Sequence, residues 1–277
     1  MKRSGLPERF FLVFYIPGDT SNTVFFEKNS RFYYLWTMAK VKRSTHKTKN
    51  TLIKKVSSIL SRVLLWFLMF TVLWVLIYRF VNPPITLLMI QRNIERSSDG
   101  KSSKMKKEWV DFDDISNNMK RAAVSAEDQL FLKHVGFDVK AIEKAFATNK
   151  KGKKIKGGST ISQQTAKNVF LWPGRSWVRK GFEAYFTLLI EILWSKERIL
   201  EVYLNVIEMG DGVYGAEAAA QEYFGKSCRK LTKSQSAIIA ACFPNPRRWS
   251  PRKPTQYIKH RQYLILRNMK RLGPLDF

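Results

Sequence analysis

The sequence predicts a mainly α-helical domain carried by one N-terminal transmembrane helix. Three observations predict it. From Val63 to Tyr78 the chain runs without a charge, a Gly or a Pro. Beyond residue 109, apolar residues recur at i, i+3 and i+4, the period of a helix with one buried face. No run shows the alternation of period two that a half-buried strand requires.

The apolar run comes first. Phe80 and Val81 extend it past Arg79, which can snorkel to the interface, so residues 63–81 supply the ~20 positions a spanning helix needs. Asn82-Pro83-Pro84 follows, not a small-residue cleavage site, so the segment reads as a retained anchor. Lys40, Lys42, Arg43, Lys47, Lys49, Lys54, Lys55 and Arg62 precede it with almost no acid among them. The positive-inside rule then makes residues 1–62 a basic cytoplasmic segment and puts the rest outside. Within that segment, residues 1–37 are aromatic-rich without an amphipathic period, and Met38 opens a simpler basic stretch as a second candidate start. Residues 82–108 read as a membrane-proximal linker, polar from Arg92 to Lys107, and 109–277 as the soluble domain.

Inside that domain Ser116 is placed to cap a helix through Met119, Ala122, Ala123, Ala126 and Leu130. Ser176 is placed to cap another through Phe182, Phe186, Ile190 and Leu193. A third carries Ile199, Leu200, Tyr203 and Leu204. A fourth runs from Ser234 through Ala241 and stops before Pro244.

A formal charge of +27 calls for an anionic partner: nucleic acid, an anionic membrane surface or a phosphorylated substrate. Two cysteines, Cys228 and Cys242, make neither a disulfide framework nor a zinc cluster, and His46, His134 and His260 are too scattered for a metal motif.

Three local signals carry chemistry. Gly157-Gly158-Ser159-Thr160-Ile161-Ser162-Gln163-Gln164 joins two permissive glycines to a capping box, Thr160 with Gln163. A helix start there would offer N–H groups to an anion, with Lys167 and Asn168 further along. Arg175, Arg179, Lys180 and Glu183 gather cations about one acid; Arg179 and Glu183 are i, i+4. Glu127-Asp128 stands just before Phe131 and His134. Each alone has a bland reading: a capped helix after a solvated loop, a surface ion pair, adjacent solvated acids. Together they are what glycosyl transfer from a diphosphate needs. One carboxylate takes a proton from the attacking hydroxyl, and cations stabilise the leaving diphosphate. No general acid is required, unlike a glycosidase with its paired carboxyls.

At these residues the chain resembles the family 51 glycosyltransferases, specifically the monofunctional biosynthetic peptidoglycan transglycosylases. The matching blocks run from Glu127 to Asp138, from Gly157 to Asn168, from Arg179 to Glu183, from Lys196 to Asn205 and from Gly212 to Ala219, in the family's order. Pro83 to Met89 is similar to the family's membrane-proximal entry. Ser162 and Thr165 stand where the family usually has Thr and Leu. The resemblance implies a lysozyme-like glycosyltransferase domain with a membrane-hugging subdomain. It implies an inverting peptidoglycan glycosyltransferase that polymerises lipid II into β-1,4-linked glycan and releases undecaprenyl diphosphate, in cell wall biogenesis. By analogy Glu127 is the general base and Glu183 supports the site near the diphosphate or a divalent cation, Mg2+ or Mn2+; no organic cofactor is expected. Lys167, Arg175, Arg179 and Lys180 would hold diphosphate, with Ser159, Thr160, Gln163, Gln164 and Asn168 also binding substrate. Expected partners are lipid II, the growing glycan chain, membrane lipids and other cell-wall synthesis or division proteins, and no nucleic acid. The expected place is the cell inner (cytoplasmic) membrane, single-pass, with the catalytic domain on the periplasmic side. No penicillin-binding domain is seen after Cys242-Phe243-Pro244, so glycan polymerisation without cross-linking is expected. Two rivals are a lytic glycan-cleaving enzyme, which needs no diphosphate-binding cations, and a membrane-tethered binder of anionic polymers, which needs no acids among them.

Overall fold

The computed structural model of the protein describes residues 31–100, 105–140, 143, 158–174 and 176–277, with strands β1 (Phe11–Leu12) and β2 (Phe26–Glu27), and side chains from Ile53 onward. The basic stretch 150–156, Gly157 and Arg175 lie outside the described residues.

The chain divides into two compact units, Met1–Phe70 and Thr71–Phe277. In the first, β1 pairs antiparallel with β2, two residues each, too short to leave a period in the sequence. Helix α1 (Arg31–Phe80) begins here. Its stretch Ile53–Phe80, 28 residues, is long and apolar enough to cross a membrane. From Ile53 to Phe70 its large apolar side chains are exposed, Trp66 by 68%. So much uncovered apolar surface is costly in water and natural in lipid.

The second unit takes in the last turns of α1. Trp194 Nε1 donates to the Val75 carbonyl at 2.8 Å, and the Thr71 hydroxyl meets Tyr185 Oη at 2.6 Å. The Arg198 guanidinium donates to the carbonyls of Tyr78 and Val81 and to Asn82 Oδ1. Trp74 packs edge-on to Phe170 at 5.3 Å. After Pro83-Pro84, Thr86 caps α2 (Leu87–Ser98). The polar composition of the expected linker hides this helix. Met89 is its buried anchor at one end, and Arg96 pairs with Asp211 at 2.7 Å at the other.

Among the described residues there follow α3 (Asn117–Glu127), α4 (Ile161–Phe170), α5 (Trp177–Leu193), α6 (Lys196–Val206), α7 (Ala216–Phe224), α8 (Lys233–Cys242) and α9 (Gln256–Leu272). Ser116 and Ser176 cap α3 and α5 as expected, each accepting a backbone N–H three residues on. Helix α3 ends at Glu127, before the expected Leu130, because Asp128 turns extended at φ −157°. The fourth expected helix is α8, capped by Thr232. Helix α9 carries its buried Ile258, Ile265 and Met269 so far apart among basic residues that the period is faint. A small sheet, β3 (Lys106–Lys107), β5 (Val213–Tyr214) and β4 (Glu208–Gly210), pairs in the order β3-β5-β4; its strands, two or three residues long, are too short to show a period in the sequence, and the domain is mainly helical as expected.

Helix α6 is the centre of the core. Ile199, Leu200, Val202, Tyr203, Leu204 and Val206 are all buried, while its charges are Lys196, Glu197, Arg198 and Glu201 towards its start. Asn205 is buried with them, and its amide is spent on the Val110 backbone at 2.9 Å in both directions. Next to it Gly215 has φ 84°, and a Cβ would meet Asn205 O at 2.9 Å, so only glycine fits. A second cluster joins Ala122 of α3, Ala237, Ala240 and Ala241 of α8, and Ile258, Ile265 and Met269 of α9.

Candidate active site

The site forms where α3 stops and α4 starts. Asp128, freed from the helix, accepts the Ile161 N–H at 3.0 Å and pairs with His134 Nε2 at 2.9 Å. The capping box is present: Thr160 Oγ1 accepts the Gln163 N–H at 3.2 Å and Gln163 Oε1 accepts the Thr160 N–H at 3.0 Å. Thr160 also donates to Gly136 O at 2.6 Å. Gly136 sits at φ 77°, and a Cβ there would lie 2.7 Å from Thr187 Cγ2.

This corrects one expectation. The first turn of α4 is not an open anion site, because Asp128 and Thr160 already accept its Ile161 and Gln163 N–H groups. Thr160 and Gln163 are 2% and 4% exposed and hold the cap. Ser159 is exposed and, with Thr160, lines an open cleft of about 380 Å³ shared with Glu127, Asp138 and Lys140. Asn168 is buried near the end of α4.

One turn into α4, Gln164 Nε2 donates to Glu127 Oε2 at 2.8 Å, and Tyr203 Oη reaches Gln164 Oε1 at 3.5 Å. Lys167 follows on the same helix, three residues on. In the first turns of α5, Lys180 and Arg179 both contact Glu183, Arg179 at 3.5 Å. Glu183 is 3% exposed. Arg179 Nε is buried without a hydrogen-bond partner among the described residues.

The charges couple these groups. Burial pushes the Glu127 carboxyl above its ordinary value. The Gln164 bond, Arg261 and Lys167 pull it back, and Asp128 adds to the rise. Burial pushes the Lys167 ammonium down; Glu183 and Glu127 oppose this, while Arg179 and Lys180 add to it. Lys167 therefore feels both carboxylates, and the expected base, the expected supporting acid and three expected cations form one cluster. Burial, with the charges of Glu127 and Asp128, pushes the Tyr203 phenol well up, so it stays a neutral donor.

A family model described as transglycosylase matches residues 93–270, well over half of the chain. The chain belongs to the transglycosylase family. Its relatives agree. It is 50% identical to a biosynthetic peptidoglycan transglycosylase of Stutzerimonas stutzeri strain A1501 over 77% of this chain and 88% of that one. Proteins of the same name from Pseudomonas fluorescens strain Pf-5 and Pseudomonas entomophila strain L48 are 48% and 49% identical, each covered over 91% of its length.

In this transglycosylase three residues of the site went unclaimed in the sequence. His134 fits no metal motif in the sequence, yet it pairs with Asp128, the carboxylate that starts α4. Tyr203 looked like core. Arg261 was one of many basic residues near the C-terminus. Only the packing of α6 and α9 brings the last two in. The two family departures are absorbed: Ser162 Oγ donates to Glu191, and the buried Thr165 hydroxyl returns to Ile161 O at 2.9 Å.

Proposed function

We propose that this peptidoglycan glycosyltransferase joins lipid-linked disaccharides with Glu127 as general base and Lys167, Arg179 and Lys180 as the diphosphate clamp. The observation that carries the reading is the 2.8 Å bond from Gln164 to Glu127, which sets this carboxyl against the helix that carries Lys167, itself packed on the helix of Arg179, Lys180 and Glu183. The acceptor hydroxyl enters the cleft beside Glu127 and loses its proton to that carboxylate. Its oxygen forms the new bond to the anomeric carbon of the donor as the bond to diphosphate breaks. The electron pair goes to the undecaprenyl diphosphate, whose charge the cations receive. A single displacement turns an α-linked donor into a β-1,4-linked product, so the transfer inverts and one base suffices. The cations around Glu183 favour this reading over glycan cleavage.

The described residues fit a resident divalent cation poorly. Among them no three metal-ligating side chains gather, and Lys180 and Arg179 already neutralise Glu183. The reaction is therefore written without one.

The helix Ile53–Phe80 supports a single-pass anchor in the cytoplasmic membrane, and the basic flank before it supports a periplasmic catalytic domain. Lipid II, the growing glycan and membrane lipids are the partners this reading requires. The test is consumption of labelled lipid II by purified Glu127→Gln protein, its fold checked by circular dichroism. Removal of the base should cost two to four orders of magnitude, roughly. Polymerisation within tenfold of wild type would move the base elsewhere.

A further inference from the structure

A small cavity of about 160 Å³ opens at the start of α3, the helix that ends at Glu127. At 1.5 Å per residue it lies about 15 Å along the helix from that carboxyl. Asn117, Lys120 and Arg121 of α3 line it, with Pro274 and Leu275 of the segment after α9. Ser116 caps the helix here, so the cavity meets the positive end of the α3 dipole. A helix start alone selects no ligand; Lys120 does. It is only 5% exposed, and among the described residues its ammonium makes no hydrogen bond and no ion pair. The ammonium rests on the Phe112 ring at 3.7 Å, a contact that holds the charge and leaves its hydrogen-bond donors unspent. The acids that feel it, Asp113 ahead of Glu197 and Glu201, do not pair with it, and burial pushes it below the ordinary lysine value. Beside it Arg121 donates to the Met269 carbonyl through a terminal nitrogen, while its Nε is buried without a hydrogen-bond partner among the described residues.

We propose that this cavity is a second anion site, which takes one small oxyanion, a carboxylate or a phosphate group, on Lys120 and Arg121. A buried ammonium without a partner is costly. An oxyanion supplies what it lacks, an acceptor and a counter-charge in one group. The volume admits one such group with a few attached atoms and excludes the lipid-linked substrate, since pockets for larger ligands measure about 300–1,000 Å³. Pro274 and Leu275 supply an apolar wall against which a short carbon stem can lie. Their segment is already anchored nearby, because Phe277 packs edge-on at 5.2 Å to Phe112, the ring that carries Lys120. A bound anion would tie that segment to the first turn of α3. It would do so apart from the proposed diphosphate clamp, since Lys167 lies on α4, Arg179 and Lys180 on α5, and none of them lines this cavity.

The test titrates full-length protein in detergent with sodium propionate and with sodium phosphate, against sodium chloride at equal ionic strength. Binding is followed by calorimetry and unfolding by Tm. The protein carries Lys167→Ala and Arg179→Ala, so an anion held by the proposed clamp does not enter the count. Saturable binding of one anion per chain is expected, with Tm raised by about 4 °C at ten times Kd. In that background Lys120→Met keeps the stem and removes the charge, while Leu275→Trp keeps both cations and fills the cavity. Each should abolish the binding and the rise in Tm. If Lys120→Met does not fold, Leu275→Trp decides alone, because Leu275 is half-buried and outside any helix. Tighter binding of propionate assigns the site to a carboxylate, and tighter binding of phosphate to a phosphate group. No saturable binding of either anion, or binding that survives Leu275→Trp, overturns the proposal.

Discussion

Gln164 donates its side-chain amide to Glu127 across 2.8 Å, and Tyr203 stands behind Gln164 at 3.5 Å. The proposed base is therefore held from α4, the same helix that carries Lys167, and backed by the central helix α6.

Breaking that bond should show in rate more than in stability. A hydrogen bond to a charged group is worth about 1.5–3 kcal/mol. Gln164→Ala should lower kcat by about tenfold or more with the fold intact, measured on lipid II with circular dichroism beside it. Wild-type kcat would mean that Glu127 needs no such partner.

The pH profile should be a narrowed bell. As the proposed base Glu127 works only when deprotonated, and its carboxyl is raised, so rate should be lost as pH falls through a point above the ordinary glutamate value. Lys167 works only when charged, and its ammonium is lowered, so rate is lost as pH rises through a point below the ordinary lysine value. Lys167→Arg should push the alkaline limb outward, because guanidinium stays charged. An alkaline limb unmoved by that change would assign it to another group.

Lys167→Ala and Arg179→Ala should each slow turnover by about a hundredfold, near 3 kcal/mol for one cation on a developing diphosphate charge. Arg179→Ala also removes a partner of the buried Glu183, so thermal unfolding must be followed with the rate. Full activity in either folded variant would place the diphosphate elsewhere.

Asp128→Ala should act mainly on stability. It leaves the Ile161 N–H and the His134 ring without their acceptor in a buried place. The cost is about 2 kcal/mol, a fall in Tm of roughly 5 °C. Asp128→Asn keeps an acceptor for Ile161 and should recover part of it. An unchanged Tm in both would mean that α4 is started by Thr160 alone.

Much of this was legible in the residues. Ser116, Thr160 and Ser176 are caps whose side-chain oxygens accept the N–H three residues on, so they announce helices without help from the rest of the fold. The Thr160–Gln163 box is local in the same way. The closure of the α4 start was not legible, because its acceptor Asp128 lies 33 residues upstream and reaches Ile161 only after the chain has turned. The places of Tyr203 and Arg261 depend on helix packing across the domain, and nothing in their immediate neighbours marks them. The small sheet and helix α2 escaped for a different reason: strands of two or three residues carry no period, and α2 buries only Met89 among mostly polar or exposed residues.

The join between Trp194 and the carbonyl of Val75 has a consequence for where the chain can be cut. Residues 71–80, the end of the long apolar helix, belong to the same compact unit as the helices that carry the site. A soluble form cut at Phe80 would take away the acceptor of the Trp194 N–H, so a truncation that keeps the second unit whole has to begin before Thr71.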